Sequence, residues 1–139
     1  MAVSTGRLHE VKVSRYMANT LLTLEPDMPV MQAIGLLLKY KFSGAPVVDG
    51  TGALIGMLSE KDCLRVAVLA SGPGIETPLV GDYMTAPVES VTPETDVLEV
   101  ARRFIKVSYK RFPVVENGKL VGQISRADIL RAIDDLGRA

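Results

Sequence analysis

Two stretches of the chain place a serine hydroxyl and a carboxylate three residues apart, where an apolar strand gives way to a helix. They are Gly56-Met57-Leu58-Ser59-Glu60-Lys61-Asp62 and Gly122-Gln123-Ile124-Ser125-Arg126-Ala127-Asp128. The start of a helix presents unpaired N–H groups and the positive end of its dipole, a setting suited to phosphate. Ser59 and Ser125 add a hydroxyl to that setting. Asp62 and Asp128 would repel a phosphate but suit a ribose, because a carboxylate accepts two hydrogen bonds and a 2′,3′-diol donates two. The same spacing also describes a capping box, in which the Ser and Asp side chains satisfy the first backbone N–H groups of the helix. The residues alone leave both readings open. Gly56 and Gly122, inside strands, mark places where a ligand or a second backbone comes close, or where the two halves of the chain pack densely.

Other chemistries lack their residues. His9 is the single histidine and Cys63 the single cysteine, so a zinc ligand set, a Ser-His-Asp triad and a Cys-His pair are all excluded, and no metal is expected. The chain carries no Walker loop, no Gly-x-Gly-x-x-Gly and no closely paired carboxylates, and no catalytic role is expected. Cys63 sits at a helix start, which lowers a thiol pKa, but beside Asp62, which opposes that, and it reads as a small buried packer. Met17, Met28, Met31, Met57 and Met84 read as core filling. Lys and Arg together number 16 and Asp and Glu 16, for a net charge of zero, so nothing supports nucleic-acid binding. The first residues, Met1 to Lys12, lack the apolar segment of a signal peptide, and no run reaches the ~18 apolar residues of a membrane span. A cytoplasmic protein without a membrane partner is expected, reducing conditions fitting a chain with no disulfide framework. Hydrophobic residues make up 47%, enough to fill a core and leave apolar surface for self-association.

The elements that must position the two boxes come from an internal repeat. Tyr16-Met17 matches Tyr83-Met84, Pro26 matches Pro93, and Pro46-Val47-Val48 matches Pro113-Val114-Val115. One residue drops out of a turn, after which Leu54, Gly56, Ser59, Asp62 and Arg65 match Leu120, Gly122, Ser125, Asp128 and Arg131. A period of about 67 residues is longer than most solenoid units and points to a pseudo-twofold pair. Each copy predicts a short strand (Leu21–Leu24, Val88–Val91) and then a helix. The helix carries apolar residues at i, i+3, i+4, i+7 and i+8: Val30, Ala33, Ile34, Leu37, Leu38, and Val97, Val100, Ala101, Phe104, Ile105. Asp27 and Thr95 are its expected caps. A hairpin follows, Ala45–Val48 with Ala53–Leu58 and Phe112–Val115 with Lys119–Ile124, the second closed by Asn117-Gly118. Helices near Glu60–Ala70 and Arg126–Leu136 end the copies. The expected organisation is a leader over 1–12, first motif 13–70, linker 71–79 and second motif 80–139, forming one module. The expected fold class is α/β (α+β), two βαββα motifs packed sheet to sheet.

The ordered set Pro-Val-Val-Asp/Glu, Gly turn, Leu-x-Gly-x-x-Ser-x-x-Asp, Ile/Leu-Leu-Arg, present twice between about Val13 and Leu136, closely resembles the cystathionine-beta-synthase (CBS) domain. The resemblance implies a regulatory module that binds adenosine-containing ligands (AMP, ADP or ATP, sometimes S-adenosylmethionine) in clefts between paired motifs. It requires no cofactor, is expected to form a homodimer, and acts in trans on an unidentified partner protein. Under it, Asp62 and Asp128 hold the ribose and Ser59 and Ser125 contact ribose or phosphate. The residues before the strands begun by Pro46 and Pro113 face the phosphates. Thr20, Leu21 and Leu22, and Pro87 and Val88, flank the adenine. Lys110 and Arg111 stand in the second copy where the first has Ser43 and Gly44; with Arg126 they concentrate positive charge there, so the second cleft is expected to hold phosphate better, charge-assisted bonds being the strong kind. The cations also suit a solvated helix end. The competing functions are an interaction protein with ligand-free clefts and, with least support, a nucleotide hydrolase.

Overall fold

A computed structural model describes residues 7–19, 22–69 and 77–138. The chain divides into two compact units, one comprising residues up to 21 together with 89–139, the other residues 22–88. Both mix helices with a small antiparallel sheet. In the 22–88 unit, α1 (Val30–Tyr40) leads to strands β1 (Gly44–Val48) and β2 (Leu54–Ser59), helix α2 (Glu60–Leu69) and the short α3 (Val80–Tyr83). In the other, α4 (Val97–Lys106) leads to β3 (Arg111–Glu116), β4 (Lys119–Ser125) and α5 (Arg126–Arg138). The expected hairpins and helices therefore form, within a residue or two of the expected ends. At the second turn Asn117 and Gly118 both adopt positive φ, 53° and 78°, the pair of left-handed residues that closes a two-residue hairpin.

Among the described residues, which exclude Leu21, the expected first strands are single contacts. Leu24 bridges Val47, and Val91 bridges Val114, each in parallel. Leu24 N–H donates to the Pro46 carbonyl and Val48 N–H to the Leu24 carbonyl, both at 2.9 Å. The next bond of such a ladder would run from residue 46 to the carbonyl of residue 22, and proline has no N–H to give. Pro113 halts the Val91 ladder in the same way.

The repeat and the compact units are cut at different places. The segment that opens each motif is built into the unit that holds the other motif's hairpin. Val13 N–H donates to the Thr95 carbonyl (2.9 Å), and Ala18 and Gln123 exchange both backbone bonds (2.8 and 3.0 Å). At the repeat-equivalent positions Val80 N–H donates to the Met28 carbonyl (2.9 Å), and Thr85 and Met57 exchange theirs (2.8 and 3.0 Å). Within residues 7–12, Leu8 and Val11 are buried in the core with Val13, Val97, Phe104, Phe112 and Ile124. The incoming segments also take over helix starts. Val30 N–H is satisfied by the Pro78 carbonyl and Val97 N–H by the Val11 carbonyl. So α1 has Pro29 at its N-cap with no side-chain cap, and Asp27 is not its cap. In α4 the cap is Asp96, accepting from Glu99 N–H at 2.8 Å, one residue beyond the expected Thr95.

Of the expected helix stripe, Val30, Ala33 and Leu37 are buried, as are Val97, Val100 and Phe104. Leu38 and Ile105 are not, at 73% and 86% exposed. At 100° per residue the i+8 position lies about 80° round from the first, at the margin of the stripe. Met31 is exposed too.

Gly56 and Gly122 are explained by the exchanged segments. A Cβ on Gly122 would lie 2.7 Å from the Ala18 carbonyl oxygen; one on Gly56 would meet the flexible Met84 thioether first and the Thr85 carbonyl only at 3.2 Å. Backbone yields less readily than a methionine tip. Gly122→Ala is therefore expected to lower unfolding stability by about 1–3 kcal/mol and Gly56→Ala by less, as read from urea denaturation midpoints at constant m-value.

Candidate functional site

Each motif ends at a strand–helix junction whose geometry follows from its register. Ser59 closes β2 opposite Gly44, and Ser125 closes β4 opposite Arg111. The helices start at the next residue, so Asp62 and Asp128 fall at the third helical position, one turn on from the serine. Both boxes close reciprocally. Asp62 N–H donates to Ser59 Oγ and Asp128 N–H to Ser125 Oγ, each at 3.1 Å. In return Asp62 Oδ2 accepts from Ser59 N–H at 2.9 Å, and Asp128 Oδ2 from Ser125 N–H at 2.7 Å. Both carboxylates are buried. The capping box is thus the arrangement present, and one oxygen of each aspartate belongs to the backbone.

The second oxygen faces differently. Oδ1 of Asp62 pairs with Arg65 at 3.0 Å, and Oδ1 of Asp128 pairs with Arg131. These arginine side chains are 56% and 60% exposed. A pair with one partner in solvent holds weakly, so Oδ1 is the edge at which an incoming hydroxyl can replace a resident donor. In the 22–88 unit the Thr85 hydroxyl also stands 3.4 Å from both oxygens of Asp62; sequence reasoning did not single out this residue, because the exchange that delivers it spans 23 residues and has no local signature.

The basic residues gather at the second box. Arg111, half-buried, begins β3 directly across from Ser125, and directly opposed residues of an antiparallel pair project to the same face. Lys110 is exposed, and its carbonyl accepts the first N–H of α5, from Arg126, at 3.1 Å. The Arg126 guanidinium turns the other way: it donates to the Val107 carbonyl at 3.1 Å and lies over the Phe104 ring at 5.9 Å. Of the three cations, then, Lys110 and Arg111 border the box and Arg126 braces the end of α4. In the first copy the corresponding residues are Ser43, Gly44 and Glu60, and a Cβ on Gly44 would stand 3.0 Å from the Leu58 carbonyl.

Pro46 and Pro113 lie buried within the strands, their carbonyls taken by Leu24 and Val91. Leu22 is half-buried against the core of its unit, Pro87 is exposed after a cis Ala86–Pro87 bond, and Val88 is half-buried. All three share the unit that holds Asp62. Thr20 and Leu21 lie outside the described residues. His9 is exposed. Among the described residues no cluster of His, Cys, Asp and Glu could hold a metal, and no helix is long and apolar enough to cross a membrane.

Sheet hairpins, exchanged segments and paired Ser-x-x-Asp boxes define a tandem module, and comparison with known proteins gives its class. The model of the CBS domain matches residues 13–69 and again 80–135. The chain belongs to the CBS domain family and carries the domain twice. The crystal structure of CBSX2 in complex with AMP superposes with a TM-score of 0.81 at 30% identity, covering 91% of this chain and 98% of that one. A further structure of CBSX2, from Arabidopsis thaliana, gives 0.82 at 28%, covering 93% and 98%. Among curated relatives, an uncharacterized protein of Methanocaldococcus jannaschii is 30% identical over 121 residues, 87% of this chain. A zinc metalloprotease of the same organism is 35% identical over 126 residues, 91% of this chain. The chain spans 42% and 33% of those two proteins.

Cys63 is buried beside the first box. Burial raises its thiol pKa above the ordinary 9.0, and the charges of Asp62 and Glu60 add to the effect. The folded protein is therefore expected to react with Ellman's reagent at pH 8 far more slowly than the urea-unfolded chain. Because the folded pKa is the raised one, the thiol's contribution to stability is complete below the unfolded pKa and declines as pH climbs through the folded value.

Proposed function

We propose that this protein is a regulatory module that binds an adenine nucleotide at its Ser-x-x-Asp boxes, with AMP, ADP or ATP as the ligand class. The observation that carries the reading is the β3–β4 register: it sets Arg111 across from Ser125, on the unit whose Asp128 presents a ribose-accepting edge. Phosphate needs cations and helix-start donors and ribose needs a carboxylate, and among the described residues the second box adds Lys110 and Arg111 where the first has Ser43 and Gly44. The AMP complex of CBSX2, similar over 91% of this chain, supports the same ligand class. The second box is the stronger phosphate site, and the first takes adenosine more readily than its phosphates. The ligand acts on a separate cytoplasmic protein partner by favouring one arrangement of the module, which requires unequal affinity for the two arrangements. Binding and not turnover is the function.

Isothermal titration tests this directly. AMP binds the wild type, Asp128→Ala removes the tighter event, and Arg111→Ala weakens AMP by about tenfold or more while leaving adenosine nearly unchanged, the range expected for a charge-assisted bond. No binding of AMP, ADP, ATP or adenosine would end the reading.

Self-association belongs to the same proposal. Each unit exposes apolar side chains at repeat-equivalent helix positions, Leu38 and Leu64 in one, Ile105 and Leu130 in the other. A homodimer covering such residues is expected by light scattering, and Leu64→Glu with Leu130→Glu is expected to yield a folded monomer; an unchanged mass would place the interface elsewhere.

A further inference from the structure

We infer that Thr85 makes the two boxes unequal receivers of a sugar: its hydroxyl competes with ribose at Asp62, whereas Asp128, facing Ala18, is free to take the nucleoside first. The inference rests on the adenosine reading above and assigns a specificity-determining residue within it.

A carboxylate offers about four acceptor positions. At Asp62 four donors converge. Ser59 gives its N–H and its hydroxyl to Oδ2 at 2.9 and 3.0 Å, Arg65 pairs with Oδ1 at 3.0 Å, and the Thr85 hydroxyl stands 3.4 Å from both oxygens. At Asp128, among the described residues, two donors converge: Ser125 N–H at 2.7 Å, and Arg131. Exposure agrees with the donor count, the Asp62 side chain being 4% exposed and that of Asp128 11%.

One of the two extra donors is the box serine's own hydroxyl; the other traces to one pair of equivalent positions. Thr85 pairs with Met57, and Ala18 pairs with Gln123, each strand residue lying two before the box serine. Both partners are therefore delivered to the same point beside the carboxylate, and only one carries a hydroxyl. The arginines do not separate the boxes by exposure, since both side chains are more than half exposed. The Thr85 backbone is held by bonds of 2.8 and 3.0 Å to Met57, which keeps the residue beside Asp62. A diol arriving at Asp128 meets open acceptor positions. One arriving at Asp62 must first displace a tethered donor. Because the Thr85 contact is long, the penalty is that of one modest hydrogen bond.

The test uses adenosine, which has ribose but no phosphate and so is blind to the charge of Lys110 and Arg111. In an Asp128→Ala background, which leaves only the first box, Thr85→Val keeps the side-chain shape, deletes the hydroxyl and is expected to tighten adenosine about three- to tenfold. Thr85→Ser, which restores the hydroxyl, is expected to return the affinity to the Thr85 level. In an Asp62→Ala background, Ala18→Thr is expected to weaken adenosine by a similar factor. Without either background, stepwise constants in the otherwise wild-type chain should converge on Thr85→Val, which keeps the test valid if an Asp→Ala variant fails to fold. Unchanged affinity in Thr85→Val, or a Thr85→Ser that behaves like Thr85→Val, overturns the inference while AMP binding by the wild type leaves the nucleotide reading standing. Failure of the wild type to bind adenosine or AMP removes both.

Discussion

A carboxylate has a finite set of lone pairs, and at each strand–helix junction of this protein folding and the proposed recognition draw on the same set. Folding takes its share first. Where β2 becomes α2 and β4 becomes α5, the serine N–H turns away from the ladder and the first helical N–H groups have no partner four residues back. Leaving such a donor unpaired in a buried place costs about 1–3 kcal/mol. Asp62 and Asp128 remove that cost by accepting the serine N–H, and the serine oxygen accepts theirs in return. What is left for a ligand is the outer oxygen, guarded by an arginine that solvent already screens. Capping and the proposed binding would therefore be two uses of one side chain, the rigidity of the first holding the second in place.

The junctions are set by sheets that neither motif completes alone. The other motif's opening segment lies against Gly56 and Gly122, through the Met84 side chain and the Thr85 carbonyl at the first and the Ala18 carbonyl at the second. That exchange brings Thr85 to Asp62 and Ala18 toward Asp128. It also means that a fragment cut at the repeat boundaries, 13–70 or 80–139, would lack part of the unit its hairpin belongs to. The partners of each box are long-range contacts, made only once chain segments distant in sequence have met.

Much of this was legible in the residues. The period-3.6 stripe of Val30, Ala33 and Leu37, the alternation of the hairpins and the Asn117-Gly118 turn are local signals, and local signals survive into the fold. The Ser-x-x-Asp spacing announced the box itself. What escaped was non-local. Nothing near Asp27 shows that Pro78 will satisfy the start of α1 and that the aspartate will not cap it. The apolar run at Leu21–Leu24 reads as a strand until Pro46 is known to be its neighbour, and then the missing N–H ends the ladder. Arg126 looked like a phosphate ligand because it stands beside Ser125; the Val107 carbonyl and the Phe104 ring, 19 and 22 residues away along the chain, draw its guanidinium aside. Strand register, which the sequence pattern does specify, puts Arg111 opposite Ser125.

The two copies have diverged at equivalent positions, and at the box the differences run in one direction. Gly44 answers Arg111, Ser43 answers Lys110, and Thr85 answers Ala18. The first set adds charge where phosphate would lie, and the last removes a competitor from where ribose would lie. A side-chain change at position 44 is sterically restricted, since a Cβ there meets the Leu58 carbonyl at 3.0 Å, so the first box cannot simply acquire the second box's arginine. Two equal sites would fill over one range of nucleotide concentration. Unequal sites separate those ranges, and a ligand that distinguishes two arrangements of the module can then shift them in two stages, each limited by its own difference in affinity. Duplication supplies the symmetry on which both boxes are built; the departures from it at 43, 44 and 85 supply the means by which a single module would respond in steps.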